Sequence, residues 1–194
     1  MQENKIDPRS IRTKQLLLDA FTKLTREKDF KDITIKDITN EATVNRATFY
    51  SHFQDKYDLM DACIKKEILE SIVKHLEHYN TLNEHSIINI FLTLTEFHTR
   101  KNTDYSLQCR RSMEPFNSVF EQEIKKELGE LFYSLLVKQL PSKCSEDLKI
   151  GATVFSWGIY GASVDWEKNS SLSAEQYIEK ALPYIVSEVS IFKV

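Results

Sequence analysis

Apolar residues recur through most of this chain at intervals of three and four, the spacing of one buried face on an α-helix. Glycine and proline are sparse, at four residues each, which favours long helices over a many-stranded sheet. The pattern predicts helices over about 10–28, 35–41, 46–52, 56–79, 83–101, 103–113, 117–139, 145–168 and 173–193. We therefore expect an all-α protein.

Capping residues mark the starts of the two shortest helices. Thr34 precedes the second helix, and Asp37 three residues later completes the spacing of a capping box. Asn45 is the corresponding N-cap of the third helix. These signals predict a tight turn over 42–44 between two helices of barely two turns each.

Composition and charge narrow the class of protein. Hydrophobic residues make up 41% of the chain, which is enough to form a core. The sequence contains no run of about 18 apolar residues, so we expect no membrane span. Residues 1–66 carry 13 Lys/Arg against 11 Asp/Glu, whereas the remainder carries 13 against 18. A mildly basic end on an acidic body suits a protein that touches phosphates with one end only. The first ten residues lack the apolar core of a secretion signal, so we expect a cytoplasmic protein.

Candidate catalytic and metal-binding groups are few. Cys63, Cys109 and Cys144 form no C-x-x-C pair, so we expect three reduced thiols, with a redox role for one of them as the alternative. His75 and His78 are three apart and could share a metal, but ordinary surface positions explain them as well. Phosphate-loop, hydrolase and zinc-protease motifs do not occur. We expect no enzyme activity, no cofactor and no metal.

The segment 34–59 has the arrangement that a helix-turn-helix needs to read DNA. An exposed second helix fits the major groove, while phosphate contacts hold its register. Arg46 could pair with a guanine, and Ala47 could meet a thymine methyl group. The expected DNA-contacting residues are Thr34, Asn45, Arg46, Ala47, Thr48, Tyr50, His52 and Lys56. On spacing alone, the alternative is an ordinary pair of helices in an all-helical protein.

This segment resembles the DNA-binding domain of the tetracycline-repressor (TetR) family. The matching residues are Thr34, Ile35, Ile38, Thr39, Ala42, Val44, Asn45, Thr48, Phe49, Tyr50, His52, Phe53, Lys56 and Leu59. Thr43 stands where the family usually has glycine, and a β-branched residue resists the αL conformation. The resemblance covers about 9–66 and implies a transcriptional regulator, with repression as the expected action and the nucleoid as its place when DNA-bound. A co-activator that keeps the fold but acts through a protein partner is the alternative.

The resemblance also implies how the chain is divided and how it assembles. It implies an arm over 1–8, a three-helix DNA-binding domain over 9–66, and a larger helical domain over 67–194 for dimerisation and ligand sensing. Family members bind pseudo-palindromic operators as homodimers, through a four-helix bundle of their last two long helices. The expected dimer residues are Gly151, Val154, Trp157, Gly158, Tyr160, Gly161, Ile178, Leu182 and Ile185. The alternative is that the apolar helix near 150–166 is the core helix of a monomer.

Family members commonly sense a small ligand inside the C-terminal domain, so an effector of unknown identity is expected here. The candidate ligand-binding residues are Phe91, Phe97, His98, Tyr105, Arg110, Phe116, Phe120 and Phe132, each of which could equally be plain core. A buried Arg110 would select an anionic ligand, whereas a solvated helix face is the alternative. Ligand binding would tilt the helix that starts at Lys56 and change the spacing of the two recognition helices.

Overall fold

The structure, a computed structural model, describes residues 7–76, 78–103, 111 and 114–190, with side chains placed except at 101–103 and 186–190. Within these residues the regular secondary structure is entirely helical, which confirms the all-α prediction. The chain divides into two compact units. The head unit comprises Met1–Lys66 with Asp104–Val119, and the body unit comprises Glu67–Thr103 with Phe120–Val194.

The head unit is built from helices of unequal length around one apolar core. Its helices are α1 (Pro8–Glu27), α2 (Ile35–Glu41), α3 (Arg46–Tyr50) and most of α4 (Lys56–Ile68), with a 3₁₀ turn at Phe30–Asp32. The fully buried side chains include Leu17, Phe21, Ile38, Phe49 and Leu59, so each of the four helices contributes to the core. Burying such a side chain stabilises by roughly 1.5–3 kcal/mol. That burial holds α2 and α3, which are too short to persist alone.

Two helix boundaries differ from the sequence-based expectation. α1 begins at Pro8 rather than Ser10, because the Asp7 carboxylate caps it by accepting from the backbone N–H of Arg9 at 2.9 Å. Proline suits the first helical position, where its missing N–H has no partner to lose. The helix expected to reach about residue 79 ends as α4 at Ile68 and continues through a π-helical turn and the short α5 (Lys74–Leu76).

The body unit is built from four long helices, α6 (Glu84–Thr103), α7 (Asn117–Gln139), α8 (Ser145–Asn169) and α9 (Ala174–Ser190). Helix α6 packs against α8 and α9, which also pack against each other. Pro183 lies inside α9 without ending it. The helix expected over 103–113 falls mostly outside the described residues. None of the described helices combines the length and apolarity needed to cross a membrane.

Candidate nucleic-acid interface

A reciprocal capping box fixes the start of α2. The hydroxyl of Thr34 accepts from the backbone N–H of Asp37 at 3.1 Å, and the Asp37 carboxylate accepts from the backbone N–H of Thr34 at 2.9 Å. These backbone and hydroxyl hydrogen bonds from Thr34, with the Lys28 ammonium 3.2 Å away, lower the pKa of the Asp37 carboxyl to about 2. Because Thr34 also donates its hydroxyl proton to Asp37 at 2.8 Å, its side chain serves the helix rather than an incoming phosphate.

The turn after α2 is a Schellman motif with an unusual residue at its centre. The N–H of Val44 reaches the carbonyl of Thr39 at 3.0 Å, and that of Thr43 reaches Asn40 at 3.2 Å. Thr43 has φ = 56°, the left-handed conformation that glycine normally supplies here. The chain therefore keeps the turn geometry of a glycine and accepts strain of about 1–3 kcal/mol at a β-branched residue.

Asn45 caps α3 and orients its first turn. Its side-chain oxygen accepts from both the backbone N–H of Thr48 at 2.8 Å and the Thr48 hydroxyl at 3.0 Å. The Thr48 hydroxyl proton is therefore committed to the cap. The NH₂ group of Asn45 has no partner among the described residues, so it is available to donate to a phosphate.

The outward face of α3 carries the side chains best placed to reach DNA. Arg46, Ala47 and Tyr50 are exposed, whereas Phe49 between them is completely buried. His52 is half-buried beside Phe53, with ring centroids 6.4 Å apart. One short helix thus anchors itself through Phe49 and presents polar groups on its opposite side.

Lys56 opens α4 as the sequence predicted, and its side chain forms contacts that the sequence did not predict. Its ammonium donates to the backbone carbonyls of Phe30, Lys31 and Ile33 at 2.8, 3.2 and 3.0 Å, and lies 4.5 Å from the centroid of the Phe30 ring. A lysine has three N–H donors, and all three are used inside the head unit. The ammonium therefore ties the start of α4 to the 3₁₀ turn, and the expected phosphate contact by this side chain stays a prediction that competes with these hydrogen bonds.

Lys36 is a candidate that the sequence reasoning missed. It lies in the first turn of α2, its side chain is exposed, and no ion pair holds it among the described residues. An unpaired cation on the first helix of a helix-turn-helix is a suitable phosphate contact. The signal that could have found it is a lysine just after the Thr34 cap, on the side opposite to Ile38.

The candidate ligand residues in the described part of the chain are all buried, but they do not form one group. Phe97 and Phe120 lie 6.2 Å apart between ring centroids, Phe91 stacks on Tyr177, and Phe132 packs on Phe155. Phe116 belongs instead to the head unit, where its ring packs on Phe30 at 4.8 Å and on Tyr57 at 6.4 Å. Tyr105 and Arg110 lie outside the described residues, as does Cys109.

His98 makes two polar contacts in the core of the body unit. Its Nε2 lies 3.2 Å from the hydroxyl oxygen of Ser163, and its Nδ1 lies 3.5 Å from a carboxylate oxygen of Glu167. The three residue types are those of a hydrolase triad, but Ser163 is completely buried and donates its proton to the carbonyl of Tyr160 at 2.8 Å. The group is therefore a structural bridge between α6 and α8. Burial, together with the nearby Glu121 and Glu167 carboxylates, raises the pKa of the Tyr160 hydroxyl to about 12.

The predicted dimer residues fall into two sets. Val154, Trp157, Gly158 and Gly161 are exposed along α8, and a Cβ added at either glycine would meet nothing within 4 Å. Tyr160, Leu182 and Ile185 are half-buried. By contrast Ile178 is 1% exposed in the core, and a Cβ at Gly151 would meet Leu136 of the same chain at 3.4 Å. The assignment of Ile178 to a dimer surface is therefore corrected, because this side chain is buried in its own unit, whereas Gly151 is half-buried and its assignment stays a prediction.

Known proteins are similar in sequence to the part of the chain that contains the helix-turn-helix. Residues 17–63 match the family model described as bacterial regulatory proteins, tetR family. The chain is 39% identical over 87 residues to the uncharacterized HTH-type transcriptional regulator YxbF of Bacillus subtilis, a match covering 44% of this chain and 23% of that protein. It is 29% identical over 76 residues to the HTH-type dhaKLM operon transcriptional activator DhaS of Lactococcus lactis, covering 39% and 41%.

Solved structures extend the likeness to the whole fold. The dihydroxyacetone kinase operon activator DhaS superimposes with a TM-score of 0.58 at 16% identity, covering 93% of this chain and 98% of that one. A TetR transcriptional regulator from Streptococcus agalactiae gives 0.53 at 21% identity, covering 92% and 96%. The sequence matches span less than half the length of the curated relatives. The family model confirms the predicted resemblance over residues 17–63, so the segment that carries the helix-turn-helix is similar to the tetR family of bacterial regulatory proteins.

Proposed function

We propose that this protein is a transcriptional regulator that reads an operator with α3. The observation that carries the proposal is the exposed pair of Arg46 and Tyr50 on a helix that Asn45 caps and the buried Phe49 anchors. A rigid helix with an arginine on its outer face can enter the major groove and donate two hydrogen bonds to a guanine. Lys36, His52 and the NH₂ group of Asn45 supply the phosphate contacts.

A homodimer is the assembly we propose for operator binding. The α8 outer stripe, defined as Ile150, Val154, Trp157, Gly158 and Gly161, leaves three large apolar side chains 57–60% exposed. Apolar side chains grouped in this way mark surfaces that another protein covers. The two glycines have open space above them, so a second copy of α8 can approach closely. Two heads in one dimer would then read a two-fold-symmetric site.

Val154→Glu tests this surface, with Val137→Glu on α7 as the matched control. The two valines are 57% and 39% exposed, so neither glutamate disturbs the core of its own unit. We expect sedimentation to show a monomer for Val154→Glu and a dimer for both the control and the unmodified protein. A dimer that survives Val154→Glu would remove the α8 outer stripe from the interface.

For regulation we propose a repressor that a small-molecule effector releases from DNA. Helix α4 starts in the head unit, and the boundary between the units falls within it after Lys66. A ligand in the body unit that favours one tilt of α4 would change the separation of the two recognition helices, and its differential affinity supplies the energy. Among the candidate ligand residues, the rings of Phe97, His98 and Phe120 adjoin one another in the body unit, and the effector would bind beside them.

An activator is the second candidate, because the relative DhaS is described as an operon activator. The two actions make opposite predictions for a reporter gene placed behind the operator. Deleting the regulator raises expression if it represses and lowers it if it activates. A co-activator that works through a protein partner would instead show no operator affinity when purified alone.

Selection of bound sequences from a random duplex pool, at two salt concentrations, tests the central claim. We expect a two-fold-symmetric site whose binding constant falls steeply with salt, because each neutralised phosphate contributes about −0.9 to the logarithmic slope. Arg46→Ala should lose the preference for one base pair, whereas Lys168→Ala, which removes one exposed positive charge from α8, should keep it. A folded dimer that recovers no sequence above background would contradict the proposal.

A further inference from the structure

Arg46 and Tyr50 are joined to each other in the structure. The Arg46 guanidinium donates from Nη2 to the Tyr50 hydroxyl oxygen at 3.2 Å, and its central carbon lies 5.6 Å from the centroid of the Tyr50 ring. The residues are four apart on α3, so they share one face of that helix. The hydrogen bond and the cation–π contact act on the same guanidinium and restrict where it points.

The Tyr50 ring is itself held by the core of the head unit. It meets the ring of Phe49 edge to face, at 5.5 Å between centroids and with an interplanar angle of 90°. Phe49 is completely buried, whereas Tyr50 is 48% exposed. The contacts therefore run from a fixed core side chain, through a half-exposed ring, to a solvent-facing guanidinium.

We propose that Tyr50 is a positioning residue for base recognition, because it holds Arg46 in the orientation that reads the base. This inference rests on the proposed function. A guanidinium has five N–H donors, so one bond to Tyr50 leaves two for the O6 and N7 atoms of a guanine. A free arginine loses side-chain entropy when it docks, and an arginine already held in place loses less.

The Tyr50 hydroxyl can serve the phosphate backbone at the same time. A phenolic hydroxyl both accepts and donates, so the oxygen that accepts from Arg46 keeps its own proton for a phosphate oxygen. Tyr50 would then couple its phosphate contact, which fixes the position of the protein on the DNA, to the orientation of the Arg46 side chain. A residue acting only on phosphate would weaken binding to all sequences equally, whereas a positioning residue changes the preference for one base pair.

A double-mutant cycle separates these two roles. The unmodified protein, Tyr50→Phe, Arg46→Ala and the double variant are titrated against the selected operator and against operators changed at each base pair. We expect Tyr50→Phe to reduce discrimination at the base pair read by Arg46 by about two- to tenfold, the factor that follows from ordering one long side chain. In the Arg46→Ala background the same change should leave base discrimination unaltered.

Tyr57→Phe is the matched control, because it removes a hydroxyl from another exposed tyrosine of the head unit, at 56% exposure. It should leave base discrimination unchanged, and thermal unfolding of each variant checks that the fold persists. A Tyr50→Phe variant that weakens all sequences by one factor, in both backgrounds, would overturn the inference and leave the proposed function standing. Failure of the unmodified protein to select any sequence would overturn both.

Discussion

The head unit and the body unit obtain their order from different sources. In the head, two helices of seven and five residues are fixed at their ends by the Thr34–Asp37 capping box, the Schellman turn at Thr43 and the Asn45 cap. In the body, helices of 17 to 25 residues pack along their lengths, and side-chain burial fixes them. Local hydrogen bonds thus define where the two short helices of the head begin and end, and core burial holds them in place, whereas the body depends on packing along its long helices.

Removing a large core side chain should give the largest effect and show whether the two units unfold separately. Phe49→Ala in the head and Phe132→Ala in the body each empty a completely buried position, which costs about 3–5 kcal/mol. We expect hydrogen exchange to accelerate mainly in the unit that carries the change. Equal acceleration throughout the chain in both variants would show a single cooperative unit.

Because the Lys56 ammonium is bonded inside the head unit, replacing Lys56 should lower the stability of the head and not only its affinity for DNA. Lys56→Met removes the hydrogen bonds that the ammonium donates to the carbonyls of Phe30, Lys31 and Ile33, and we expect the free energy of unfolding of the head to fall by about 1–3 kcal/mol. Lys36→Met removes an exposed, unpaired lysine of the same unit and is the control. Denaturant titration distinguishes the two, because unchanged stability for Lys56→Met would return that side chain to the phosphate-contacting set.

Introducing a glycine should stabilise the head unit, whereas removing one should stabilise the body unit. Thr43→Gly relieves a left-handed φ of 56°, so we expect a gain of about 1 kcal/mol in the head. Gly129→Ala lies inside α7, where the nearest neighbour of the new Cβ is 3.9 Å away, and should add about 0.5–1 kcal/mol to the body. Thermal melts of the two variants measure both effects, and a loss at Thr43→Gly would mean that the side chain compensates its own strain.

The loss of stability in acid should be the smallest of these effects, and we expect it to be confined to the head unit. The pKa of Asp37 in the folded protein is about 2, below its ordinary value near 4. A lowered pKa stabilises the fold above the ordinary value, and that contribution is lost as the pH falls from about 4 towards 2. Asp37→Asn should flatten the pH dependence of head stability in this window, whereas Asp32→Asn should not. An identical acid profile for Asp37→Asn would contradict the capping-box contribution.

The sequence predicted the parts of this protein that depend on neighbouring residues. The caps at Thr34 and Asn45 and the short turn between them depend on residues within five positions of one another, and the structure contains each of them. The resemblance to the tetR family was visible for the same reason, because its motif is one continuous segment. The backbone strain at Thr43 was also predictable, because the resistance of a β-branched residue to a positive φ is a property of that residue itself.

Tertiary structure alone decided what the longer-range side chains do. From the sequence, Lys56 is expected to be an exposed cation. In the folded chain its ammonium donates to three carbonyls of residues that precede it by 23 to 26 positions. Ile178 and Val154 read alike as apolar positions, and only packing makes one core and leaves the other exposed. Hydrogen bonds between near neighbours are encoded in the order of residues, whereas burial depends on which distant helices meet. The sequence thus determined the helices, their caps and the resemblance to the tetR family, and the folded chain determined which side chains of the head remain exposed.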